Sequence, residues 1–264
     1  MNRHGFSLIE LLVVIAVISL LMGALSPGLW SARQQAQAVW CTSNMKQLSL
    51  ALMIYEEANG RFPYAFDDRM GQPIPNGGHP GDPLCDNMGI WWLHQLEGFI
   101  DAILDRNSPA WCAARKVKDR GLEANILLGN YGVNRVILTD LQGPAGGEFV
   151  GPPLGLKQIR HPSAVLLITD SGYSQISWYG AADNVVQRFE NVNREQAFYV
   201  PGLSINVNRT FPPLFHEDAV KGRHPRRTIN VTYADGHVNR AKAESLLVEE
   251  IGGGWANRSP LWVP

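Results

Sequence analysis

The chain has almost no net charge: 23 Lys and Arg stand against 24 Asp and Glu in 264 residues, a balance of −1 with the charges spread along the sequence. That excludes a protein that works by neutralising a phosphate backbone, so no nucleic acid is expected as a partner. Cysteine is scarce, and three residues leave room for one disulfide with a thiol over. No internal repeat is visible. Gly and Pro, 26 and 17 residues, fall short of a low-complexity composition, and 45% hydrophobic residues exclude disorder as the dominant state. Ser163, Ser171 and Ser174 sit in no nucleophile-elbow pattern, and no helix carries the two-His zinc motif of a metalloprotease. No catalytic residue, cofactor or enzymatic activity is expected.

What the chain does have is one long hydrophobic run. Phe6 to Leu25 reads FSLIELLVVIAVISLLMGAL, 20 residues with the single ionisable side chain Glu10. As a helix it crosses a hydrocarbon layer of about 30 Å. Arg3, with His4 beside it, precedes the run, and a short basic leader keeps the N-terminus in the cytoplasm and the rest of the chain outside. A carboxylate inside an apolar span costs about 2.5–3.5 kcal/mol at mid-bilayer and less near an end, so Glu10 needs a partner or a reason. A secretory signal peptide cut near Ala24-Leu25-Ser26 and a plain signal anchor both leave Glu10 unexplained, and the first would put Pro27 directly after the cut.

Gly5-Phe6-Ser7-Leu8-Ile9-Glu10, followed by the unbroken apolar run, resembles the cleavage and methylation site of type IV prepilins and type II secretion pseudopilins. The resemblance implies that prepilin peptidase cuts between Gly5 and Phe6 and methylates the new terminus at Phe6. Such a cut places an ammonium one helical turn from Glu10, within a chain or between neighbours, where a carboxylate in low dielectric gains a counter-charge. The expected role is a structural subunit of a type IV pilus-like or type II secretion pseudopilus filament, with Glu10 acting in assembly. Its partners are then the peptidase, other pilin-like subunits in a homo- or hetero-polymer, the assembly machinery of the inner membrane and the lipid bilayer. The expected location is the inner membrane, single-pass, with the head extracytoplasmic, followed by a periplasmic or cell-surface filament. The alternative is an anchored extracytoplasmic binding module that does not polymerise.

Beyond the span, Pro27-Gly28 should kink the helix without ending it. Cys41, Met45, Leu48, Leu52 and Tyr55 continue at spacings of four and three, and Asn59-Gly60 supplies a stop. The expected fold class is α+β and pilin-like: a long N-terminal helix, membrane-spanning then amphipathic, packed on an antiparallel β-sheet head with a loop-rich insertion. The implied domains are a leader at 1–5, the transmembrane half at 6–29, the amphipathic half at 30–59 and the extracytoplasmic head at 60–264. Residues 67–89 read as a long loop and Trp91 to Leu104 as a short helix weakened by Gly98. Strands are expected near Ile126–Leu128, Val133–Leu138, Val165–Thr169, Gln175–Tyr179, Val185–Phe189, Ala197–Val200, Thr228–Tyr233 and His237–Arg240. Asp235-Gly236 marks a two-residue hairpin, and Ala241–Ile251 reads as a final helix stopped by Gly252-Gly253-Gly254.

A second resemblance lies in the C-terminal half, to prepilin-like proteins whose heads end in a His, about nine residues, then Asp-Gly. Here His224 precedes Asp235-Gly236 with ten residues between, one more than the usual pattern. Cys41 to Leu52, Asn130 to Asn134 and Ile159 to Ser171 fit the same class, while Cys112 stands at the place of a Cys-Pro but is followed by Ala113. The resemblance implies that Cys41 and Cys112, the two shared positions, form the disulfide and tie the helix to the head. Asp170, His224, Asp235 and His237 have the side chains of a transition-metal site but match no compact ligand motif, and the turn already explains Asp235, so no metal is expected. Asp67-Asp68 and Asp82 with Asp86 lack the alternate-residue spacing of a calcium loop. Lys221, Arg223, His224, Arg226 and Arg227 read as a solvated basic loop leading into the hairpin. Trp111, Trp178 with Tyr179, Trp255 and Trp262 stand in loop or terminal contexts where an exposed aromatic could bind a sugar or a partner.

Overall fold

A computed structural model describes residues 8–67, 90–101, 103, 105–117, 125–141, 149–181, 198–251, 254–256 and 261–263. One helix, α1 (Leu8–Asn59), runs through Pro27 without interruption, and its 52 residues span about 78 Å. Gly60 ends it in the left-handed region, φ +72°, donating its N–H to Glu56 O at 2.7 Å. The stripe Cys41, Met45, Leu48 and Leu52 is fully buried, so the 3.6-residue period of the sequence is the face that meets the head. Each such side chain contributes about 1.5–3 kcal/mol on burial, and Leu48→Ala would cost about 2–5 kcal/mol.

The head contains β1 (Phe66–Asp67), β2 (Ile90–Trp91), α2 (Trp92–Gln95), β3 (Tyr131–Asn134), β4 (Leu166–Asp170), β5 (Gln175–Ile176) and α3 (Trp178–Ala181). It continues with α4 (Pro213–Lys221), β6 (Thr228–Tyr233), β7 (Val238–Lys242), β8 (Glu249–Ile251) and β9 (Gly254–Ala256). Five strands form one sheet in the order β5-β3-β4-β6-β7. The sheet is mixed rather than wholly antiparallel, because β5 lies parallel to β3. One face of β6 sends Ile229 and Val231 into a cluster with Leu166, Ile176, Leu203, Leu246 and Trp262. Toward α1, Asn230 Oδ1 accepts a hydrogen bond from Thr42 Oγ1 at 2.8 Å. The sheet is thus sandwiched between α1 and the C-terminal segments.

The β6–β7 hairpin is antiparallel from Thr228↔Lys242 to Thr232↔Val238. Its loop is three residues, not two: Tyr233 N–H bonds His237 O at 3.0 Å, Gly236 N–H bonds Tyr233 O at 2.8 Å, and only Gly236 takes a positive φ, +85°. The turn lies on α1, where Lys46 Nζ donates to Gly236 O at 2.7 Å.

Several expectations shift for local reasons. The helix expected over Trp91 to Leu104 is only the single turn α2, because Gly98 sits at φ +92°. No final helix forms over Ala241–Ile251: β7 runs to Lys242, a 3-10 turn covers Ala243–Leu246, and Glu249–Ile251 pairs with Gly254–Ala256. Burial of Ala243, Leu246 and Val248 fits one tight turn followed by extended chain. The strand expected over Val133–Leu138 stops at Asn134, whose side-chain oxygen accepts Val136 N–H at 3.1 Å and turns the chain. Gln175–Tyr179 likewise gives way to α3 after Ile176. Ile126–Leu128 is a turn with one bridge from Leu128 to Tyr173, and residues 198–200 form no strand. The expected strand Val185–Phe189 and loop residues 68–89, with Asp68, Asp82 and Asp86, lie outside the described residues.

Candidate functional site

Two regions of α1 carry the chemistry. From Leu8 to Trp30 its large apolar side chains are exposed, Leu8 at 85% and Leu29 at 73%; the head first reaches the helix at Gln35, whose Oε1 accepts from Arg240 Nη1 at 3.3 Å, and buries side chains of it from Ala38 onward. At 1.5 Å per residue, the stretch from Leu8 to Arg33 forms a bare rod of about 39 Å, longer than a bilayer's hydrocarbon layer of about 30 Å. So large an apolar surface needs lipid or other helices around it. Glu10 lies in the first turn of α1, exposed, where a carboxylate meets the positive end of the helix dipole. Gly5 and Phe6 lie outside the described residues.

The second region is the seam between α1 and the head, where the sequence places charge and the fold buries it. Cys41 of α1 and Cys112 of the loop after α2 meet with their Sγ atoms 2.6 Å apart. His224 joins them, and one ring nitrogen and the two sulfurs all lie within 4.8 Å of one another. His224 Nε2 stands 3.2 Å from Asp170 Oδ2 on β4, which also accepts Asn230 N–H at 2.6 Å. Arg223 completes the cluster. Its Nε and Nη2 hold Asp218 at 3.1 and 2.6 Å, Nη2 reaches Ser171 O at 2.9 Å, Nη1 bonds Asn130 O, and Nη1 lies 3.6 Å from Asp170. Tyr199 donates its hydroxyl at 3.0 Å to Asp218 Oδ2, the oxygen that also accepts from Arg223 Nη2.

All four charged side chains of this cluster are fully buried, and the two cations balance the two carboxylates. Burial alone would lower the His224 imidazole, but the Asp170 carboxylate beside it outweighs burial and holds it at about 9. Burial pushes Asp170 up, yet His224, Arg223 and the Asn230 amide together keep it below the ordinary carboxylate value. Burial drives the Cys112 thiol well up, whereas contact with Cys112 draws Cys41 down. Asn230, Arg223 and Asp218 carry none of the local signals that mark a site in sequence. Asp218 lies on the same side of α4 as the buried Phe215 and Ala219, and a carboxylate on an apolar face is the one hint of a buried partner.

The basic run therefore divides: Arg223 and His224 are interior, while Lys221, Arg226 and Arg227 are exposed as a solvated loop requires. Of the four metal candidates, the fold brings Asp170 and His224 together. Asp235 and His237 instead pair with each other at 2.6 Å on the exposed hairpin turn. His224 and Asp235-Gly236 stand at opposite ends of β6, and each end is fastened to α1. Among the described residues, the metal-ligating types that cluster are Cys41, Cys112 and His224. Trp262 is wholly buried, contrary to an exposed binding role, and the side chains of Tyr179 and Trp255 lie outside the described residues. Trp111 borders an open cleft of about 420 Å³ together with Trp40, Arg106, Cys112 and Arg115, and the Arg115 guanidinium lies 5.0 Å above its ring.

Comparison with known proteins covers α1 and the first part of the head. Residues 1–26 match the prokaryotic N-terminal methylation motif, and residues 30–101 match a family described as a protein of unknown function (DUF1559). No curated protein and no solved structure matches the chain. The methylation motif, the DUF1559 segment and a long helix backed by a mixed sheet together fit a type IV pilin- or pseudopilin-like protein.

Proposed function

We propose that the chain is a structural, non-enzymatic subunit of a type IV pilus-like or type II secretion pseudopilus filament. In this reading prepilin peptidase cuts after Gly5 and Phe6 becomes the methylated terminus. The precursor sits in the inner membrane with its head outside the cytoplasm. The assembly machinery then draws the bare half of α1 from the bilayer into contact with the helices of other pilin-like subunits. The observation that supports this most is the division of α1: an exposed apolar rod from Leu8 to Trp30, then a stripe locked to the head from Ala38. Lipid and a bundle of like helices are interchangeable surroundings for such a rod, because neither leaves its side chains in water.

The anchored binding module is the second reading, and the cleft walled by Trp40, Trp111 and Arg115 favours it. Mass spectrometry of the native N-terminus should give N-methylated Phe6, and Gly5→Val should leave Met1 in place. Sheared surface fractions should then contain the cut protein. Cut protein found only in the membrane fraction, with no filament form, would favour the module.

A further inference from the structure

We infer that Cys41 and Cys112 are a disulfide-forming pair that staples the long helix to the head, closed through the cleft on which Cys112 opens. The sulfurs are 2.6 Å apart, and each backbone is held without help from the other sulfur. Asn44 Nδ2 of α1 donates to Trp111 O at 2.8 Å, Cys112 N–H donates to Asn130 Oδ1 at 3.0 Å, and Tyr131 donates its hydroxyl to Cys41 O at 3.4 Å. The fold thus brings together two residues 71 positions apart and keeps them there before any bond forms.

Two buried thiols are often only small apolar core residues. These two stand beside charge instead. His224 and Asp170 line the same pocket, and the His224 imidazole faces the two sulfurs and hydrogen-bonds the Cys112 side chain. The His224 imidazolium opposes the burial that holds the Cys112 thiol well up without overcoming it, so access rather than acidity makes Cys112 the attacking sulfur, and attack quickens as pH rises. A metal ion on Cys41, Cys112 and His224 fits the geometry less well, because two thiolates bound at about 2.3 Å in a tetrahedral site stand roughly 3.7 Å apart. Access is one-sided: Cys112 borders the cleft beside Trp111, while Cys41 is sealed.

The oxidant is a small or protein-borne disulfide of the envelope, R–S–S–R. The Cys112 thiolate attacks one of its sulfurs and expels R–S⁻, leaving a mixed disulfide on Cys112. The Cys41 thiolate then attacks Cys112 Sγ and expels the second R–S⁻. Two cysteine thiols are oxidised to one disulfide, one external disulfide is reduced to two thiols, and the two cysteine protons end on those two leaving groups. The staple makes the seam covalent, so a pull along α1 reaches the head without loading the hydrophobic stripe alone.

Closure in the cell rests on the extracytoplasmic head of the proposed function, and the experiment separates the two. Full-length protein from the envelope, alkylated before denaturation and mapped without reductant, should show the Cys41 and Cys112 peptides linked and Cys85 alkylated. Reduced full-length protein in detergent should close the same pair with oxidised glutathione. Cys41→Ser should trap glutathione on Cys112, and Cys112→Ser should trap none on Cys41. Closure in detergent but open thiols in the envelope would uphold the pair and overturn the placement of the head. Failure to close in detergent, Cys85 in the bridge, or one equivalent of bound zinc that shields both thiols would overturn the pair.

Discussion

Asp170→Asn tests whether the head beside the seam is held by balanced buried charge. In the wild type His224 binds its proton up to about pH 9, against 6.5 for an ordinary imidazole. A folded-state value raised in this way adds stability that is complete below pH 6.5 and is lost as pH climbs through 9. At roughly 1.4 kcal/mol per pH unit the interval is worth about 3 kcal/mol. Asparagine keeps an acceptor for the Asn230 N–H, now 2.6 Å from Asp170 Oδ2, so the change removes charge more than hydrogen bonding. Arg223 keeps Asp218, but His224, fully buried, is left with burial as its dominant influence and falls below 6.5. The substitution should cost about 3 kcal/mol at pH 6, near the lower end of what breaking a buried pair costs. It should also abolish the loss of stability between pH 6.5 and 9. Urea unfolding of the full-length protein in detergent, read by tryptophan fluorescence, measures both. Taking the difference between the two proteins cancels groups common to both, such as His94, whose imidazole burial holds down. Parallel pH profiles for the two proteins would refute the reasoning.

Three further outcomes are expected. Glu10→Leu should insert and be cut normally, and should even favour the membrane-bound monomer by up to about 2.5–3.5 kcal/mol, yet filament yield at equal processing should fall; equal yields would remove Glu10 from assembly. Gly132→Ala should lower stability by about 1–3 kcal/mol in thermal unfolding, since its Cβ would stand 2.7 Å from Tyr173 O and 2.8 Å from Ser171 Cβ in the middle of the sheet. Lys46→Met should cost about 1 kcal/mol and speed amide exchange in the β6–β7 hairpin, because the turn loses its bond from α1 to Gly236 O.

Where the sequence carried a period or a strong local motif, it was legible. The 3.6-residue stripe from Cys41 to Leu52 is the buried face of α1, and Thr228–Tyr233 is β6 residue for residue, because each rests on a repeating pattern read against one surface. Elements that depended on a distant partner were not. Trp178 and Tyr179 look like the end of a strand, but β5 stops once Ile176 is paired with Asn134, and the chain coils into Trp178–Ala181. Ala241–Ile251 is helical by local pattern, yet pairing with Gly254–Ala256 draws its second half into a hairpin. The basic run from Lys221 was misleading for the same reason. A guanidinium is read as solvated unless its counter-charges are visible, and those of Arg223 come from α4, from β4 and from two backbone carbonyls 52 and 93 residues away.

The polar contacts that α1 itself makes bear on why a head should be fastened to its helix in two different ways. The hydrophobic stripe of α1 resists water but slides readily, since one apolar residue replaces another at nearly equal gain when a helix shifts by a turn. Hydrogen bonds from α1 to fixed groups of the head do not slide. A shift of one turn along α1, about 5.4 Å, would carry Thr42 away from Asn230, Asn44 away from the Trp111 carbonyl and Lys46 away from the hairpin turn. Each loss would leave a buried or half-buried polar group without its partner, at about 1–3 kcal/mol apiece. The head is therefore set in register on α1 by polar contacts at residues 42, 44 and 46 and held there by apolar burial from Ala38 to Leu52. For a subunit whose helix must leave lipid under load, register is the property the seam has to keep.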